Sequence, residues 1–123
     1  MAENREYISR ADENGDIYIS EEVLAMIAGA AATEVEGVTG LAGGNFSEQI
    51  LNKRSLSRGV TVIREEEEIT LNISILIRYG CAIPEVAKQV QDAVRTSLQD
   101  TSGLKVAAVN VRVGGVTFDK VNS

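Results

Sequence analysis

At 123 residues the chain is long enough for one domain that buries about two-thirds of its unfolded surface without disulfide or metal staples. Its net charge of −6 argues against broad binding to nucleic acid or anionic lipid. The lack of any His removes His-based acid–base chemistry and most transition-metal sites, and a single Cys excludes an internal disulfide. With no Trp and 4% aromatic residues, the core has to be built from Val, Ile, Leu and Ala.

Residues 1–14 are polar, lack periodicity and read as a mobile tail without the apolar h-region of a secretory signal. "GDIYIS" alternates, with Ile17 and Ile19 on one face, and predicts a short strand. Ser20 is then a good helix N-cap, with Glu21 and Glu22 in the first turn and Ile19 and Leu24 at the spacing of a hydrophobic staple. The helix is expected to run through "EEVLAMIAGAAATEVE" and stop at Gly37. Its small-residue stripe, Ala25, Gly29 and Thr33, predicts close packing on a sheet. The apolar run Val23 to Ala32 is about half of what a membrane-spanning helix needs.

"GVTGLAGG" predicts a short strand, Val38 to Leu41, ending in a glycine turn. "NFSEQILNKRSLSRG" follows as the least regular internal segment, with a short helix expected near Ser47 to Leu51. Two strands come next, Val60 to Arg64 and Ile69 to Tyr79, joined by Glu65 to Glu68. In the second, Ile69, Leu71, Ile73, Ile75 and Ile77 point one way. Thr70, Asn72, Ser74 and Arg78 point the other, with Leu76 the exception. One buried and one solvated face is the pattern of an antiparallel sheet covered on one side.

Pro84 suits the first turn of a second helix, whose core stripe is Val86, Val90, Ala93, Val94 and Leu98. Glu85, Lys88, Asp92, Arg95 and Gln99 face water, and Gly103 ends the helix so that Leu104 folds back on Leu98. A last strand covers Val106 to Val113, with Gly114 and Gly115 breaking it before "VTF". The fold class is therefore α/β in the α+β sense. It is a two-layer sandwich with a mostly antiparallel sheet and two amphipathic helices packed on one face. The expected organisation is a single domain over 15–119 between tails at 1–14 and 120–123.

Few residues invite chemistry. Cys81 stands before a helix start, where a thiol becomes a better nucleophile, but no His exists to serve as its base and no spacing marks another one. A small residue in a strand-to-helix turn is the simpler reading. Arg64 to Glu68 reads as a solvated turn, because consecutive carboxylates at a hairpin tip diverge instead of converging on a cation. "GVTG" and "GLAG" match the G-x-x-G loop of KH domains, yet they follow a helix, enter a strand and lack basic residues. No phosphate-binding loop, dinucleotide fingerprint or metal-ligand spacing is present. Lys53, Arg54 and Arg58 form the one local basic cluster in an acidic chain and are the candidate partner-binding residues.

"ISEEVLAMIAGAAATEVEGVTGLAGG", "LSRGVTV", "IRYGCAIPEVAKQVQDAV" and "VNVRVGGVTF" resemble, in this order, the blocks of the alkaline shock protein family of Gram-positive envelope stress proteins. The resemblance covers residues 16–119. It implies a small cytoplasmic protein with no known catalytic activity and offers no catalytic residues to carry over; the missing His and missing motifs leave no cofactor or metal to expect. It also implies a role in alkaline or envelope stress, or in envelope and fatty-acid metabolism. The partners it implies are proteins, among them a membrane anchor, together with self-assembly. A KH-like nucleic-acid module and a small-ligand carrier remain as alternatives.

Overall fold

The computed structural model describes residues 7–12, 14–42 and 59–118. In chain order the elements are β1 (Tyr7–Asp12), β2 (Gly15–Ser20), α1 (Glu21–Thr33), β3 (Val38–Leu41), β4 (Val60–Glu65), β5 (Glu68–Arg78), α2 (Ile83–Ser102) and β6 (Lys105–Thr117). The two helices share one face of a sheet built around β5, the expected α+β sandwich.

The alternation in β5 is what organises the core. Leu71 and Ile75 are fully buried, and Ile69, Ile73 and Ile77 are at most 2% exposed. On α2, Val90, Val94 and Leu98 meet them with no exposed surface, and Val86 completes the stripe. Ala93, expected in that stripe, is only half-buried. Leu24, Ala28 and Ala32 of α1 close the same cluster.

The helix ends follow local chemistry. Ser20 Oγ accepts from the Glu22 and Val23 amides at 3.0 and 3.3 Å, satisfying two of the donors that a helix start leaves free. α1 ends at Thr33, earlier than its sequence pattern suggests, and Val35 to Gly37 form the turn into β3. At Gly37 φ is +102°, and a β-carbon there would crowd Val86 and Cys81, so glycine serves both conformation and packing. Gly103 ends α2 in the left-handed conformation, and its amide donates to the Gln99 carbonyl.

Besides Ala93 and the end of α1, four features depart from the sequence expectations. Residues 7–12, assigned to a mobile tail, form β1, an antiparallel partner for all of β2, and Ile8 is buried in the core. The hairpin turn is tighter than Glu65 to Glu68: those two residues pair with each other, and Glu66 takes φ of 55°. β5 ends at Arg78, one residue short of the expectation. β6 is 13 residues long, continues through Gly114 and Gly115, and pairs with β5 in parallel. A register shift between Ile75 and Leu76 absorbs the extra residue, so the glycines bend the strand without ending it.

β3 and β4 lie end to end along one edge of β5. β3 pairs with Ile75 to Ile77, β4 with Glu68 to Ile73, and both run antiparallel to β5. Ser74 joins them: its carbonyl accepts from the Ala42 amide and its own amide donates to the Gly59 carbonyl, each at 2.9 Å. β6 occupies the other edge of β5. The sheet is curled enough for these flanking strands to touch, since Thr39 Oγ1 and Thr117 Oγ1 are 2.8 Å apart.

Candidate functional site

Lys53, Arg54 and Arg58 lie outside the described residues, as does the helix expected near Ser47 to Leu51. What the structure does place is their root, since the chain leaves the sheet at Ala42 and re-enters it at Gly59, both on Ser74.

Cys81 occupies the turn between β5 and α2. It is half-buried, its amide donates to the Arg78 carbonyl at 3.2 Å, and its side chain packs against the core. Its sulfur faces Gly37, at 3.1 Å from where a β-carbon on that residue would stand. Among the described residues no three of His, Cys, Asp and Glu converge as a metal ligand set. Glu66 and Glu67 are exposed at the hairpin tip, while Glu68 turns to Lys105 at 3.5 Å. Gly37 and Gly40 of "GVTG" lead from a turn into a β-strand. The described helices include none long and apolar enough to cross a membrane.

A concavity runs between the outer faces of α1 and α2. Ile27, Ala30, Ala31, Val35 and Ala93 form an apolar floor, and its volume is about 770 Å³. Among the described residues its charged lining consists of Glu34 and Asp92. The floor residues are half-buried, so the groove holds apolar surface that the fold itself leaves partly uncovered. Three alanines keep the floor low, which lets a docking backbone come close. The sequence carries a signal for it. α1 has apolar residues at 27, 30 and 31 beyond those needed for the buried positions 24, 25, 28, 29 and 32, and a helix apolar over so much of its circumference has to cover two surfaces.

A second exposed surface follows β6. Only β5 pairs with it among the described strands, and α2 supplies hydrogen bonds to its backbone. Gln91 Nε2 donates to the Val109 carbonyl at 3.0 Å, and the Val106 amide donates to Gln99 Oε1 at 3.2 Å. At the far end Tyr79 and Phe118 stack with ring centroids 4.7 Å apart, each 66% exposed.

Comparison with known proteins supplies what geometry alone does not. Residues 9–118 match the model of the alkaline shock protein 23 family, described as having a cell envelope-related function. The chain is 43% identical over 106 residues to uncharacterized protein YloU of Bacillus subtilis, covering 83% of this chain and 88% of that one. Protein YqhY of the same organism is 33% identical over 108 residues, covering 85% and 79%. A stress response regulator gls24 homolog of Streptococcus pyogenes is 26% identical over 102 residues, covering 80% of this chain and 57% of its own length. No solved structure matches the chain.

Proposed function

Since the chain belongs to the alkaline shock protein 23 family, as the resemblance of its sequence blocks implied, we propose that it is a non-catalytic adaptor of the cell envelope that binds a protein partner in the α1–α2 groove. It works in the cytoplasm and is brought near the membrane by that partner. The groove is the observation that carries this reading. A long apolar floor of small residues between two helices suits an amphipathic helix laid along it, which is a common mode of peptide recognition. Glu34 and Asp92 on its walls favour a partner helix with Lys or Arg beside its apolar stripe. Lys53, Arg54 and Arg58 are proposed as a second contact with the same partner, on their charge and loop position in the sequence.

The test is capture from membrane and soluble fractions of the source cell. The baits are wild type, Ala31→Glu/Ala93→Glu, and Lys53→Glu/Arg54→Glu/Arg58→Glu, with each fold checked by circular dichroism. The expected result is a membrane-fraction protein held by wild type and lost with the groove variant. That protein, purified, rebinds wild type, and a basic amphipathic helix within it competes for binding. Undiminished capture by the folded groove variant would overturn the assignment of the interface. A nucleic acid as the retained species would overturn the adaptor reading.

A further inference from the structure

On the face of the sheet away from the helices, cross-strand register assembles a polar cradle that the adaptor reading does not use. Thr61 pairs with Asn72 across β4 and β5, and Asn72 with Asn110 across β5 and β6. In the next row Ser74 lies opposite Arg112, beside Gly59. These residues line one depression of about 490 Å³, within the usual size range of small-molecule sites. In a chain of net charge −6 its lining contains no carboxylate among the described residues.

The hydrogen bonding gives the cradle a direction. Asn110 Nδ2 donates to Asn72 Oδ1 at 2.8 Å, so the Asn72 oxygen is engaged and its amide NH₂ is left to donate. Arg112 is exposed and has no carboxylate partner among the described residues. Its guanidinium, the Asn72 NH₂ and the hydroxyls of Thr61 and Ser74 supply donors from three strands. Asn110 Oδ1 remains as an acceptor. On the same sheet Ala42 packs so close to Gly114 that a β-carbon on Gly114 would stand 3.0 Å from the Ala42 methyl.

We propose that this cradle binds the phosphate of a small phosphorylated polyol. Donors that converge from two rows and three strands suit a tetrahedral oxyanion better than a planar carboxylate, and an arginine fork is the strongest single partner for phosphate. Asn110 Oδ1, the acceptor left over, then takes a hydroxyl of the polyol. A free polyol phosphate and a glycerophospholipid headgroup present the same chemistry. The proposal does not rest on the α1–α2 groove.

The experiment is an amide-resolved NMR titration of the full isotope-labelled chain with glycerol phosphate, and with glycerol as the neutral control. Flotation with phosphatidylglycerol and phosphatidylcholine vesicles runs in parallel. The expected result is saturable shifts confined to Thr61, Asn72, Ser74, Asn110 and Arg112, absent with glycerol, with a dissociation constant of about 1 mM or tighter. Arg112→Gln weakens binding about tenfold or more, as expected when a charged hydrogen-bond partner is lost. Asn72→Asp, which places a carboxylate in the cradle, abolishes it, and Arg95→Gln on α2 changes nothing. Flotation with phosphatidylglycerol alone, lost in Arg112→Gln, supports the proposal and assigns the phosphate to a headgroup. Silence in both assays overturns it. So does an undiminished response in Arg112→Gln, or shifts spread over every basic residue.

Discussion

Gly59 and Ala42 meet where two collinear strands abut: a β-carbon on Gly59 would overlap the Ala42 carbonyl oxygen, and Gly59 sits at φ +79°. Ser74 holds both residues through its backbone. The edge of the sheet is thus one interrupted strand, with residues 43–58 set between two ends fixed side by side.

Gly59→Ala is therefore expected to be costly. The left-handed conformation alone costs about 1–2 kcal/mol for an L-residue, and the overlap with a backbone oxygen adds to it. Gly80→Ala is the control, because φ there is +98° with nothing within 4 Å of the added carbon. Urea denaturation should show Gly59→Ala as the less stable of the two. Equal losses would mean that the junction yields.

Leu71 has no exposed surface, while its neighbour Thr70 lies half-buried on the opposite face of β5. Leu71→Ala should cost about 2–5 kcal/mol, through lost transfer energy and a cavity. Thr70→Ala should stay within about 0.5 kcal/mol of wild type. Thermal melts of the two proteins check the assignment of faces.

Leu76 interrupts the polar face of β5 because glycines make room for it. Its two methyl carbons lie 3.9 and 2.9 Å from where β-carbons on Gly40 and Gly115 would stand. Gly115→Ala should destabilise modestly, since a flexible side-chain end can shift. Adding Leu76→Ala should remove that penalty. The double-mutant cycle is expected to show coupling of about 0.5 kcal/mol or more, and strict additivity would deny the contact.

The two helix starts differ. Ser20 caps α1 with its hydroxyl, whereas Ala82 at the start of α2 supplies no side-chain cap. Ser20→Ala should lose about 1 kcal/mol, and Ala82→Ser should gain up to about that amount, with the Glu85 amide as the donor because Pro84 has none. Chemical denaturation midpoints moving in opposite directions would confirm both.

Gln91 and Gln99 occupy backbone groups of β6 that no other described strand takes. Replacing both with Ala should cost about 1 kcal/mol per lost hydrogen bond. It should also raise self-association, because an uncovered strand edge invites another. Light scattering at increasing concentration measures the second effect, and an unchanged particle size would show that the glutamines do not protect the edge.

What the sequence determined by itself was whatever depends on residues a few positions apart. The five apolar positions of β5, the stripe Val86, Val90, Val94 and Leu98 on α2, the Ser20 cap and the Gly103 stop all follow from periodicity and end chemistry within one element. The family blocks were legible for the same reason, as runs of neighbouring residues. Tertiary structure decided what needed a distant partner. Residues 7–12 become a strand because β2 offers them a ladder. Gly114 and Gly115 stay within β6 because β5 holds the strand on both sides of the bulge, and Leu76 finds its place only when Gly40 and Gly115 flank it. The groove needs two helices side by side, and the cradle needs three strands in register. Backbone hydrogen bonds and cross-strand contacts join residues far apart in the chain, and their pairing is fixed by the free energy of the assembled fold rather than by any local pattern.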